Sequence, residues 1–394
     1  FGAFAVETLS GQYEGNAEAL YYRIPLDPWA PLGSVGLVDS SSETVDCSKG
    51  IICPLSSPPE SLVEACASGA LFGPAVNKIT LCNYVTPAIV RSIEWVTSLV
   101  PELPHFYLCS SRDEAFDKAL KLMKSHRKGA VVALGFEGGY VGHTTAAARS
   151  LSDPSVHHAG PSYFDFGRVQ HPQEVGLEAA IDSLRKAVDA AGGAQAVLGL
   201  FVEVVQEKTG YSLSQEDAAA FSELARELEI PIVAVETASG AYRTGLGPFA
   251  ATEIGLHHEA KIWWGGGHVA FVHVSPDYFV PTPLTMVSTW DGDELSLIRH
   301  HHQLRLARGI DLAPAVLEAE KTFAALREAG LPVYGRGLYW VIHAGDRAGL
   351  LRDSLLHVGI ELGVLPGARL VWAPPLDIGV ESIQRLSRTL VEVV

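Results

Sequence analysis

Between residues 105 and 275 short apolar runs alternate with amphipathic helical stretches, and this alternation constrains the fold more than any other feature. The runs fall at 106–109, 131–136, 197–205, 231–235 and 269–274 and are rich in Val, Ile, Leu and Phe. Runs without polar alternation belong to strands covered on both faces, as in a mainly parallel sheet. In the intervening segments, residues 113–124 put Ala115, Ala119, Leu122 and Met123 on one stripe, and 215–228 do the same with Ala219, Leu224 and Leu228. Strand and helix in turn predict an α/β layer with helices on both faces. Ligands of such sheets bind beyond the carboxyl ends of the strands.

Near residue 281 the pattern changes. A helical stretch at 293–330 leads into short strands at 338–344 and 370–372, with a helix at 346–359 between them and an amphipathic tail at 380–394. The expected division is 1–72 as the N-terminal part of a small domain, 73–290 as a large α/β domain, and 291–394 as the C-terminal part of the small α+β domain. A hydrophobic share of 47% with 19% charged residues suits a large buried core. The formal net charge of −16 disfavours nucleic acid and anionic membranes as partners, because phosphates are bound by clustered Lys and Arg. No run reaches the length of a membrane span, and the opening FGAFAVETLSG does not read as a signal peptide. Cys47, Cys53, Cys66, Cys82 and Cys109 fit no zinc spacing and are expected to be reduced thiols of a cytoplasmic protein, with Cys47–Cys53 as a conceivable local pair. No metal site is expected.

Residues 231–245 read PIVAVETASGAYRTG, in which Glu236, Gly240, Arg243, Thr244 and Gly245 keep the frame D-E-V-Q-T-G-x-x-R-T-G. This segment resembles the signature of class III aminotransferases, the pyridoxal-phosphate (PLP) enzymes of the ornithine and 4-aminobutyrate type. Four more segments are similar to that family in order and spacing: FYLCSSRDEAFDKALK at 106–121, GGYVGHT at 138–144, FVEVVQEKTG at 201–210 and APPL at 373–376. The resemblance spans about residues 36–394. It implies the aspartate-aminotransferase-like fold of type I PLP transferases, a large seven-stranded, mainly parallel sheet domain plus a small α+β domain from both termini. It also implies a homodimer.

Set on this chain, the family's cofactor positions carry other residues. The Gly-Thr of the phosphate cup falls on Arg112 and Asp113, just after Ser111; glycine there allows the close approach that a helix N-terminus offers an anion. The stacking histidine falls on Val141, beside Tyr140, and His143 replaces an arginine. The aspartate that pairs with the pyridine nitrogen falls on Val235, and the glutamine near the phenolic oxygen on Ala238. Glu236 is one residue from Val235, so in a strand it should face the other way. The Schiff-base lysine falls on Ile262 or nearer Trp264, with Lys261 one residue from the glycine-anchored frame. The substrate arginine falls on Val371, with Arg369 two residues earlier on the same strand face. Its glutamate partner falls on Lys208.

These replacements imply a protein of this fold that has lost PLP-dependent transamination and uses the remodelled cleft for a PLP-independent reaction or for binding an amino-acid-like or carboxylate metabolite. No cofactor is expected on that reading. The catalytic candidates are Glu236, Lys261, His143 and Tyr140; the substrate-binding candidates are Arg112, Asp113, Glu203, Gln206, Lys208, His268 and Arg369. One alternative is a PLP-dependent aminotransferase with a displaced Schiff-base Lys261, in which Ser111, Tyr140 and Thr289 would contact the cofactor. Another is a non-catalytic subunit of an active aminotransferase. The run at 300–302, three histidines, is expected on a solvated or interface face of a helix, since neighbours on a helix point about 100° apart.

Overall fold

The computed structural model describes residues 45–47, 50, 54–56, 58–71, 86–157, 160–288 and 291–393; Cys53 and Thr289, and with them the suggested Cys47–Cys53 pair, fall outside it. The short strand β1 (Val45–Asp46) and helices α1 (Glu60–Ala67) and α2 (Pro87–Ser98) precede the main sheet. Its strands are β2 (His105–Cys109), β3 (Val132–Phe136), β4 (Gly167–Val169), β5 (Val197–Glu203), β6 (Ile232–Val235), β7 (Ala260–Trp264) and β8 (Ala270–Val274), in the spatial order β2-β8-β7-β6-β5-β3-β4. Pairing is parallel from β7 to β4 and antiparallel on both sides of β8. The connection from β7 to β8 is the glycine turn at 265–267 and two further residues, too short for the crossover that parallel pairing needs. The expected mainly parallel seven-stranded sheet is therefore present, with β8 as its reversed member.

Helices α3 (Arg112–His126), α4 (Ala146–Leu151), α5 (Leu177–Ala190) and α6 (Gln215–Glu227) lie along this sheet. On one face, Ala115, Phe116, Ala119 and Met123 of α3 pack on Phe201, Val233, Val235 and Ile262. On the other, α5 and α6 cover Leu134, Leu200, Val202 and Ala234. The buried stripe of α6 is Ala218, Phe221, Leu224 and Ala225, and Ala219 is exposed. Phe221, the largest apolar side chain of the helix, sets the stripe one residue away from the expected one.

The stretch expected as one helix at 293–330 is two: α7 (Glu294–Arg308) and α8 (Ala313–Glu328). Gly309 closes α7, and Pro314 stands in the first turn of α8, where its missing N–H does no harm. Beyond them β9 (Val333–Arg336), β10 (Tyr339–His343), β12 (Gly363–Leu365) and β13 (Arg369–Trp372) form a four-stranded antiparallel sheet, while β11 (Ile360–Glu361) pairs in parallel with β1. Helices α8, α9 (Ala348–His357) and α10 (Val380–Val393) pack with Trp340, Trp372 and Phe323 in a second core. No helix among the described residues is long and apolar enough to cross a membrane.

Candidate active site

Strands β2, β3 and β5 end on the same side of the sheet, and the segment after each delivers a charged or aromatic side chain. After β2, Ser111 caps α3 by accepting from Glu114 N at 3.2 Å, and Arg112 opens the helix. After β3, the turn through Gly138 and Gly139 delivers Tyr140. After β5, a tight turn bonds Gln206 N to Tyr211 O at 2.8 Å and Gly210 N to Gln206 O at 2.9 Å. Gln206 braces this turn with both ends of its amide: Nε2 donates to Glu137 O at 2.8 Å, and Oε1 accepts from Thr209 Oγ1 at 2.5 Å. The turn sends Glu207 and Lys208 across to Arg112 and Tyr140.

There they form one interlocked cluster. Arg112 Nη1 donates to Glu207 Oε2 at 2.5 Å, and Lys208 Nζ donates to Glu207 Oε1 at 2.7 Å. Both cations lie on the Tyr140 ring, the guanidinium 4.6 Å and the amine 4.2 Å from its centroid. Arg112 Nη2 also donates to Tyr140 Oη at 3.1 Å, and the guanidinium is 5.6 Å from the Trp264 ring. Tyr140 Oη and His143 Nδ1 are 2.6 Å apart, and the His157 ring stands 4.8 Å from that of Tyr140 and 4.7 Å from that of His143. Beneath the cluster Asp113 Oδ2 accepts from His143 N, Thr144 N and Thr144 Oγ1 at 2.6–2.7 Å.

The electrostatics follow from these partners. Burial alone would raise the Glu207 carboxyl, but Arg112 and Lys208 outweigh it and lower it to about 2. Glu203 is equally buried and accepts from Tyr140 N at 2.6 Å and Glu207 N at 3.0 Å; here burial prevails and raises it to about 8. Burial and the nearby charge of Lys208 lower His157 to about 4, so its imidazole is neutral at physiological pH.

Of the residues predicted from sequence, the structure brings together Arg112, Asp113, Tyr140, His143, Glu203 and Lys208, with Ser111 and Gln206 supporting their backbone. Arg369 stands at the edge, where Nη1 donates to Lys208 O at 2.8 Å. It lines a cavity of about 420 Å³ with Glu137, Gly138, Thr209, Tyr211 and His343. Three candidates lie elsewhere. The register pairs Val235 with Ile262 and Ala234 with Lys261, so Lys261 projects from the sheet face opposite Val235 and Ile262. Its amine meets Glu102 Oε1 at 3.1 Å, Thr252 Oγ1 at 2.9 Å and the Phe249 ring at 4.6 Å. Glu236 is buried where it accepts from Ser239 Oγ and from Ala250 N and Ala251 N, holding the turn that follows β6. His268 is exposed in the loop between β7 and β8. Glu207 and His157 were missed. Glu207 could have been found, since it stands beside Lys208 in the family-like segment FVEVVQEKTG; His157 lies in a loop with no motif around it.

Neither family models nor curated proteins match the sequence. Solved structures do. The chain is similar to a lysine aminotransferase from M. tuberculosis in the internal aldimine form, with a TM-score of 0.81 and 18% identity over 100% of this chain and 99% of that one. It is also similar to an omega-transaminase from Thermomicrobium roseum (TM-score 0.77, 18% identity, 89% and 88% covered). A third likeness is to the ornithine aminotransferase from Toxoplasma gondii with partial PLP occupancy (TM-score 0.74, 18% identity, 89% and 85% covered). The chain has the aspartate-aminotransferase-like fold. The expectation of no cofactor is thereby corrected: two of these fold relatives were solved with PLP in place, so the likeness points to PLP instead of an empty role for the cleft.

What the chain offers PLP is arranged differently from the family pattern. Ile262 and Val235, in the places of the lysine and the aspartate, are packed against α3. Asp113 puts a carboxylate at the phosphate cup, although three donors from residues 143–144 hold its charge. Lys208 and Arg112 carry the charges that suit its aldehyde and its phosphate, but both are paired with Glu207 and both lie on the Tyr140 ring, which is buried and so offers the cofactor ring no open face. No carboxylate stands in the place of Val235 to meet the pyridine nitrogen.

Proposed function

We propose that this protein is an enzyme of the aminotransferase fold that handles a small amino-acid-like or carboxylate metabolite at the charged cluster around Tyr140. The observation that carries this reading is the pair of cations, Arg112 and Lys208, sharing one carboxylate on the face of one tyrosine ring at the carboxyl ends of the strands. Arg112 is the anchor for the ligand's carboxylate, because a guanidinium presents a planar fork matched to two oxygens. Part of its field is already balanced by Glu207 and by Asp113, whose Oδ1 is 3.6 Å from Nε, and these carboxylates fix the fork. Tyr140 Oη and His143 Nδ1, 2.6 Å apart, form a proton relay at the edge of the cluster, and His157 is a neutral base beside it. PLP, when bound, would supply an electron sink for bonds at an amine-bearing carbon; Arg112 and Lys208 are the residues whose charges would meet it.

Titration calorimetry with a series of 2-oxo acids, amino acids and dicarboxylates tests this reading. At least one carboxylate should bind, and Arg112→Gln should weaken it about tenfold or more, equivalent to about 1.4 kcal/mol. Unchanged affinity in a folded Arg112→Gln protein would remove the reading.

A further inference from the structure

The cavity of about 420 Å³ beside the cluster has walls of both charge signs that do not neutralise one another, and its size falls within the range of small-molecule sites. Glu137, Asp153 and Glu174 line it together with Arg168 and Arg369. Two of these groups are committed to the wall itself. Asp153 accepts from Gly138 N at 2.7 Å and Ser155 N at 2.8 Å. Arg168 donates to the carbonyls of Ser150, Leu151 and Ser152 at the end of α4. The other three are open. Among the described residues the carboxylates of Glu137 and Glu174 have no hydrogen-bond or ion-pair partner, and the Arg369 guanidinium makes one bond, from Nη1 to Lys208 O at 2.8 Å. Arg369 thus faces the same space as two free carboxylates without pairing with either.

A guanidinium and carboxylates too far apart to pair directly are bridged by a molecule that carries both charges. Its carboxylate matches the planar fork of Arg369, and its ammonium meets the carboxylates opposite. Burial raises the Glu137 carboxyl, and the like charges of Glu174 and Asp153 raise it further, so an ammonium among them relieves a repulsion. Burial lowers His343, whose Nε2 is 2.8 Å from Thr209 O, so at neutral pH it adds no further positive charge to the cavity. The guanidinium groups on the same walls disfavour a bare metal ion, and no group of three His, Cys, Asp or Glu among the described residues is arranged to hold one.

We propose that this cavity binds a small zwitterion, its carboxylate on Arg369 and its ammonium on Glu137 and Glu174. The site is separate from Arg112 and Lys208 and stands whether or not that cluster binds an anion. It borders the cluster all the same, since Arg369 holds Lys208 O and Thr209 on the cavity wall belongs to the turn that carries Glu207 and Lys208.

Calorimetry with glycine, β-alanine and ε-aminocaproate, which space the two charges progressively further apart, tests the site; propionate and propylamine carry one charge each. At least one zwitterion should bind, and both single-charge compounds should bind about tenfold more weakly or worse. Arg369→Gln and Glu137→Gln should each weaken the zwitterion about tenfold or more, with circular dichroism checking that the variants are folded. Glu174→Gln, at an exposed position where folding is not at risk, should weaken it severalfold. Loss in these variants with affinity intact in Arg112→Gln places the ligand in the cavity. Loss in Arg112→Gln with affinity intact in Arg369→Gln and Glu137→Gln would place it at the cluster: the cavity site falls and the reading of Arg112 stands. Failure of all three zwitterions to bind, or binding of propionate or propylamine as tight as theirs, would also overturn the proposal.

Discussion

Asp113 and Gly142 show how closely single residues define the floor of the cleft. Gly142 has φ 125°, and a Cβ built there would stand 2.4 Å from the Asp113 carboxylate. The glycine thus permits both a backbone region that L side chains rarely adopt and the approach of a buried carboxylate. Burial would raise Asp113, but its bonds from Thr144 and His143 and the nearby Arg112 hold it below the ordinary carboxylate range. Gly142→Ala should therefore destabilise the fold by about 1–3 kcal/mol through strain and displacement of that carboxylate. Urea denaturation checks this, and wild-type stability in the variant would mean that the turn at 138–144 is loosely held.

The elements differ in how much of them the sequence disclosed. The stripe of α3 follows from its apolar spacing, because its partner strands are continuous apolar runs. The histidines of α7 were expected on a solvated or interface face; His301 and His302 are half-buried, but His300 is not at the surface. His300 lies fully buried, 5.2 Å from the Trp263 ring and 5.9 Å from that of Phe271. His301 stacks on Trp95 of α2 at 5.0 Å and its Nδ1 meets Ser92 Oγ at 2.9 Å. The near-even spread of polar residues around α7 gave no sign that α2 covers one side and the sheet another. Burial lowers His300 to about 3 and His301 to about 4. The folded state keeps both neutral while the unfolded chain takes up protons below its ordinary value, so stability is present above about pH 6.5 and is lost as pH falls toward about 3. The thermal midpoint should drop steadily on acidification through that window. A His300→Phe variant, which fits the aromatic surroundings and cannot be protonated, should drop less. An identical pH profile in the two proteins would show that His300 does not carry the effect.

Across the whole molecule, the alternation of strand and helix made the sheet and its covering layers legible, because burial on both faces leaves a direct mark on composition. The site was legible in part. Arg112, Tyr140, His143 and Lys208 stood beyond the ends of recognisable strand runs; the strands end on one side of the sheet, and the segments that follow them bring the side chains together. Lys261 was misread for a physical reason: one residue of register decides the face of a strand, and only the pairing of Ala234 with Lys261 reveals it. Glu207 and Lys208 depend on a turn whose shape is set by Gln206 and Thr209, contacts that no periodicity announces. The central claim is that the aminotransferase fold here works through Arg112 and Lys208 on the face of Tyr140. The most direct measurement is a crystal structure of the protein soaked with pyruvate or PLP. The account predicts ligand density in contact with Arg112 and Lys208; density instead beside Lys261 and Glu102, on the far face of the sheet, would contradict it.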